Sequence, residues 1–123
     1  VPLALPAALT LLAQPQQVVL VDCLTLWLSN GLLQETPQRL QANPFVPSST
    51  LMDQGDALIT VLQQLSSRSE VFIVSNELGQ GVVPLGSTNR WFVDYMGDLN
   101  QRVAAVCDKV VWMVAGLPQV LKG

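Results

Sequence analysis

With 123 residues, 50% hydrophobic and only 12% charged, the chain suits a single domain with a full apolar core. Its formal net charge of −3 and the lack of any basic run argue against a nucleic-acid-binding module, and no apolar stretch reaches the roughly 18 residues of a membrane span. Histidine is absent, which removes the commonest general base and argues against a structural zinc site. Cys23 and Cys107, the two cysteines, have no CxxC spacing and read as free thiols in a reducing, cytoplasmic setting.

The opening VPLALPAALTLLAQPQQ is apolar without a basic start, so it does not read as a signal peptide. It predicts a helix over 5–13 with Pro6 in the first turn. Val18 to Val21 is a β-branched run that stops at Asp22, and a helix is expected over 24–33, closed near Gly31. Residues 34–50, with three prolines and no periodicity, read as one long loop: a disordered excursion, a lid, or a segment ordered by a neighbouring subunit. Leu51, Leu58, Leu62 and Leu65 fall on one helical face, with Thr50 as N-cap and Asp53 three residues on.

Val71 to Val74 is a second buried-strand pattern, and Ser75-Asn76-Glu77 follows it, with glycines at 79 and 81. Phe92, Tyr95 or Met96, Leu99, Val103 and Val106 form the stripe of a further helix, for which Ser87 or Thr88 would be the cap. Gly97 inside that helix costs up to about 1 kcal/mol, which a close helix–strand contact or another chain would offset. Val110 to Val114 is the third strand pattern. None of the three runs alternates with polar residues, so burial on both faces of a parallel sheet is expected. Trp27, Trp91 and Trp112 read as core or interface residues. Alternating helices and strands make the class α/β with right-handed crossovers. Three strands make a thin sheet with bare edges, so an N-terminal part or an intimate partner is expected to complete it.

Ligands of open α/β sheets bind beyond the carboxyl ends of the strands. That rule selects Asp22, Ser75-Asn76-Glu77 and Ala115-Gly116. An acid ending a buried strand is where P-loop nucleoside-triphosphatases hold Mg²⁺ against phosphates, and it is also where an ordinary helix cap sits; Asp22 fits both. The hydroxyl, amide and carboxylate of residues 75–77 offer hydrogen bonds to phosphate, water or a hydroxylated substrate, while Gly79 and Gly81 allow positive φ and a backbone anion nest. The same residues also suit a plain turn leaving a strand. Arg90, in the first turn of its helix, is unfavourable against the helix dipole without an anionic partner, be it a phosphate, Glu77 or Asp94.

Taken together, VVLVDCLTLWLSN (18–30), SNELGQGVVP (75–84), NRWFVDYMGDLNQRVA (89–104) and DKVVWMVAGLP (108–118) resemble the bifunctional adenosylcobinamide kinase / adenosylcobinamide-phosphate guanylyltransferase family of cobalamin biosynthesis. The most specific part is NE-x-G-x-G-x-V-P followed by R-x-F-x-D-x-x-G-x-x-N-Q-R. The resemblance implies a P-loop NTPase-like, RecA-like fold with a mostly parallel sheet and flanking helices. It implies phosphorylation of adenosylcobinamide by ATP or GTP, then transfer of GMP from GTP through a histidine to adenosylcobinamide phosphate, with Mg²⁺, by a homotrimer.

By the same resemblance Asp22 is the acidic nucleotide or metal contact, and Ser75, Asn76, Glu77, Gly79, Gly81, Arg90 and Asn100 lie near substrate or phosphate. The family's G-x-x-x-S-G-K-S loop and its histidine are absent from this sequence. The chain is therefore expected to be an incomplete α/β domain, 1–123, that does neither reaction alone, with the phosphate-loop strand expected between the strands ending at Asp22 and Ser75. Two alternatives stay open: a non-enzymatic truncated paralogue or oligomerising core, and a fragment of another P-loop-like NTPase.

Overall fold

The computed structural model describes residues 4–65, 69–79 and 85–123. In chain order the elements are α1 (Leu5–Leu12), β1 (Val18–Asp22), α2 (Leu24–Leu32), α3 (Pro37–Gln41), α4 (Ser49–Gln64), β2 (Glu70–Val74), α5 (Ser87–Val106), β3 (Val110–Val114) and β4 (Leu117–Lys122). The α/β class and the helices and strands read from periodicity are present. The pairing of the strands is not the one expected.

β1 and β2 form a parallel two-stranded sheet, with Val18 opposite Glu70 and Asp22 opposite Val74. Within this chain the two are hydrogen-bonded neighbours, where the sequence reading expected a phosphate-loop strand between them. Backbone N–H and C=O groups of adjacent apolar runs must find partners, and here each run satisfies the other. Val19, Val21, Val71 and Ile73 face the helices and join one core with Leu9, Leu24, Leu58, Met96 and Leu99. Their neighbours along the strands stay exposed, Leu20 by 64% and Phe72 by 55%. Burial on both faces is therefore not achieved within this chain, because its helices gather on one side of the sheet.

Helices α4 and α5 supply most of that core. Leu58, Met96 and Leu99 lose all solvent contact, each worth about 1.5–3 kcal/mol of burial. Gly55 is buried in α4 because a Cβ there would run into the Tyr95 hydroxyl. Gly97 has no such reason: nothing among the described residues lies within 4 Å of where its Cβ would be. Of the two compensations expected at Gly97, a close helix–strand contact does not form among the described residues.

The span 34–50 is not one long loop. It contains α3, and it is tied to its own chain. The Glu35 carboxylate, only 8% exposed, accepts from the Ser48 N–H at 2.8 Å and the Ser48 hydroxyl at 2.7 Å. Ser48 in turn caps α4, accepting from the Leu51 N–H at 3.2 Å. This anchoring makes Ser48 the cap in place of Thr50. Ser87 and Thr88 do not cap α5, whose N-cap is Gly86 at φ +90°. Instead the Ser87 hydroxyl accepts from the Phe45 N–H at 2.6 Å, and Thr88 donates to the Leu40 carbonyl at 2.8 Å. Phe45 is buried edge-on against Trp91, 5.2 Å between centroids, and Trp91 stacks on Tyr95 at 5.0 Å.

β3 does not join the parallel sheet. It pairs antiparallel with β4, which the sequence reading did not anticipate. The two-residue connection has φ +52° at Ala115 and +76° at Gly116. Two successive positive φ values match the right-handed twist of a hairpin. The hairpin is exposed apart from half-buried Val110, and Trp112 is a surface residue, unlike the buried Trp27. Its far end is fixed by Lys122, whose Nζ donates to the carbonyls of Ala104 at 3.0 Å and Ala105 at 3.1 Å. Those are orphan carbonyls of the last turn of α5, where a cation also opposes the helix dipole.

Candidate functional site

The parallel register puts Asp22 and Val74 side by side at the carboxyl ends of β1 and β2. Ser75 and Asn76 leave β2 at that same end, so the structure brings Asp22 and the polar turn together. Asp22 is not the cap of α2. That role falls to Cys23, whose sulfur accepts from the Leu26 N–H at 3.4 Å. The Asp22 carboxylate is exposed and takes part in no ion pair among the described residues. Both cysteines are free thiols.

The turn after β2 is held from two sides. The Thr25 hydroxyl, at the second position of α2, accepts from the Asn76 N–H at 3.1 Å. From α5, the Asn100 side-chain amide donates to the Asn76 carbonyl at 3.0 Å, and its oxygen accepts from the Ser75 hydroxyl at 2.5 Å. The Asn100 side chain therefore has a donor and its acceptor engaged within the protein. Because the Ser75 proton is spent on Asn100, Ser75 presents only lone pairs outward. Asp22 and Ser75 thus offer two acceptors at adjacent strand ends. Such a pair suits donors, such as water on a cation or a substrate hydroxyl, better than it suits bare phosphate oxygens.

Glu77 is exposed, and its Oε1 accepts from the Gly79 N–H at 3.2 Å, closing the carboxylate over its own turn. Gly79 is not among the glycines at positive φ, and a Cβ there would come within 3.3 Å of Glu77 Oε1. Gly81 lies outside the described residues, and so does the rest of the G-x-V-P motif through Pro84. Arg90 is exposed in the first turn of α5 and forms no ion pair among the described residues, with neither Glu77 nor Asp94 as partner. Among the described residues no hydrogen bond or ion pair ties it to Asp22 or Ser75.

Beside Asp22, between α1 and the free edge of β1, is an open cavity of about 210 Å³ lined by Leu5, Ala8, Leu12, Val19 and Leu20. It is apolar except at its acidic end. A larger cavity of about 480 Å³ lies at the start of α4, against Glu35, Arg39, Thr50 and Gln54. Glu35 is already committed to Ser48 there, with Arg39 Nε 3.8 Å from its second oxygen. Sequence reasoning missed Thr25 entirely. The available signal was a hydroxyl three residues beyond the acid, where a strand gives way to a helix.

A mononuclear magnesium site asks for one or two carboxylates, the remaining positions being waters and phosphate oxygens. The unengaged Asp22 carboxylate fits that need. No group of three His, Cys, Asp or Glu side chains gathers among the described residues, so no all-protein cage is present there. No described helix is long and apolar enough to cross a membrane.

Known proteins match the chain nearly end to end. The family described as cobinamide kinase / cobinamide phosphate guanyltransferase matches residues 1–121. The bifunctional adenosylcobalamin biosynthesis protein CobP of Pseudomonas aeruginosa is 46% identical over 122 residues, 99% of this chain and 63% of that protein. The bifunctional adenosylcobalamin biosynthesis proteins CobU of Salmonella typhimurium and Escherichia coli are each 30% identical over 88% of this chain and 60% of their own length. The chain thus spans somewhat under two thirds of these relatives. On the match over residues 1–121, with the acid and the polar turn meeting at the strand ends, the chain belongs to the cobinamide kinase / cobinamide phosphate guanyltransferase family.

Proposed function

We propose that the chain is part of a bifunctional enzyme of adenosylcobalamin biosynthesis. That enzyme phosphorylates adenosylcobinamide with ATP or GTP and transfers GMP from GTP to adenosylcobinamide phosphate, giving adenosylcobinamide-GDP. The observation that carries the reading is the meeting of Asp22 with Ser75 and Asn76 at the carboxyl ends of two parallel strands, in a chain of this family. The reading includes a P-loop-like, RecA-like fold, a homotrimer, and the cytoplasm as the place of action.

In this reading Asp22 holds Mg²⁺, directly or through water, and Ser75 accepts a hydrogen bond from a water or from the substrate hydroxyl. When bound, the ion supplies positive charge against the phosphates. Asn76, Glu77 and Arg90 line the substrate side, with Arg90 offering an exposed cation to a phosphate. Gly79 and Gly81 let backbone approach the same groups. Phosphoryl transfer rests on positioning and charge stabilisation, and this sequence has no lysine-bearing phosphate loop and no histidine to carry GMP. The 123-residue chain is accordingly inactive by itself.

The test compares the chain with a form extended at its amino terminus by a segment bearing the expected phosphate loop and histidine. The extended form is expected to phosphorylate adenosylcobinamide and to acquire an acid-labile GMP adduct from GTP, and the shorter chain to do neither. An extended form that transfers neither group would sink the reading. Light scattering of that form checks the trimer.

A further inference from the structure

The polar turn after β2 is set by two residues that have no need to touch substrate. We propose that Thr25 and Asn100 are positioning residues, a clamp that fixes the Ser75–Asn76 backbone beside Asp22; the catalytic consequence rests on the functional reading above. Thr25 grips the N–H of Asn76 from α2, and Asn100 grips its C=O from α5, at 3.1 and 3.0 Å. One peptide segment is thus held at both of its polar ends by the two helices that flank it. Asn100 also orients the Ser75 hydroxyl. That contact turns the Ser75 lone pairs outward and makes the serine an acceptor.

The clamp accounts for the chemistry of its members. Asn100 is the residue that can serve a hydroxyl and a carbonyl at once, because an amide carries both an acceptor and a donor. Aspartate would keep the acceptor for Ser75 and lose the donor for Asn76. At Thr25 only a hydroxyl will do, and serine retains it where valine keeps the shape without it. A strand end that shifts by about 1 Å relative to a neighbouring carboxylate costs on the order of 10²-fold in rate when both groups act on one reacting centre.

The test uses Thr25→Val, Thr25→Ser and Asn100→Asp in the amino-terminally extended form, with two readouts. Amide hydrogen exchange at Asn76 reports the clamp itself, and steady-state kinetics of adenosylcobinamide phosphorylation report its consequence. T25V is expected to speed exchange at Asn76 and to lower kcat roughly 10- to 100-fold, with KM for the nucleotide changed less than about 3-fold. T25S is expected to restore both, and N100D to lower kcat without weakening nucleotide binding. Unchanged Asn76 exchange in T25V overturns the clamp, as does a loss confined to KM or a T25S variant no better than T25V. A wild-type protein that protects Asn76 yet leaves the corrinoid unphosphorylated counts against the functional reading, while exchange in T25V still decides the clamp.

Discussion

The two pairs of strands in this molecule have nearly the same apolar composition and opposite fates. β1 and β2 are parallel, separated in sequence by α2, α3 and α4, and have one face sunk in the core. β3 and β4 are antiparallel, joined by two residues, and have every residue at least partly exposed. An apolar run therefore says that a strand will form and that some surface wants covering. It does not say whether its own chain does the covering. The connection decides the pairing: a two-residue turn permits only an antiparallel neighbour, and a helical crossover permits a parallel one.

The sharpest way to break this contrast is to delete apolar bulk from each side. Leu99→Ala, in the core beneath β1 and β2, is expected to cost about 2–5 kcal/mol in a urea titration. Val120→Ala on β4, more than half exposed, is expected to change stability by less than about 0.5 kcal/mol. Equal losses would mean that the hairpin is part of the same core. The strand ends offer a second contrast. Asp22→Asn should lower phosphoryl transfer by the extended form about 10²- to 10³-fold, close to 3–4 kcal/mol of transition-state stabilisation, with little loss of stability. Ala115→Gly, at the end of β3, should leave turnover unchanged and relieve the positive φ, for a gain of about 0.5 kcal/mol.

A third pair of changes tests the packing that supports the parallel sheet. Gly55→Ala should destabilise by about 1–3 kcal/mol, because the new methyl meets the Tyr95 hydroxyl. Tyr95→Phe removes that oxygen, which is buried with the Arg102 guanidinium as its charged neighbour. The double variant should recover most of the loss, as a double-mutant cycle will show. The smallest effect concerns alkaline pH. Burial pushes the Cys107 thiol above its ordinary 9.0, against the pull of Lys122, and burial likewise pushes the Tyr95 phenol above 10.0 despite the nearby Arg102. Both groups hold their protons more tightly when folded. Their contribution is complete below about pH 9 and is lost as pH rises through the folded values. Denaturation midpoints should fall from about pH 9 upward, and Cys107→Ser should remove the earlier part of that fall.

Much of the architecture was legible because periodicity is local. The stripe through Tyr95, Met96, Leu99 and Val103 is buried as its spacing demands, and Leu51 and Leu58 match the face read for α4. The acid and the polar turn were legible through the strand-end rule, which places them together once β1 and β2 are parallel. The rest depended on contacts between distant residues. Ser48 caps α4 because Glu35 holds it, thirteen positions earlier. Ser87 and Thr88 have the chemistry of caps but spend it on Phe45 and Leu40, more than forty positions away. The hairpin was hidden because Ala is an unusual residue at positive φ and Pro118 weakens the strand pattern of β4. Thr25 showed locally only a hydroxyl three residues beyond the acid; its partner Asn76 lies 51 positions away.

The contact of Phe45 with Trp91 and Tyr95 has an optical consequence. Trp91 is the one tryptophan whose ring lies between the 34–50 span and α5, stacked on one aromatic and met edge-on by another. Trp27 is enclosed in the core and Trp112 faces solvent on the hairpin. The emission of Trp91 therefore changes when that span lifts from α5, while the other two lie elsewhere. In a variant that replaces Trp27 and Trp112 by phenylalanine, the protein carries a fluorescent gauge of that one contact.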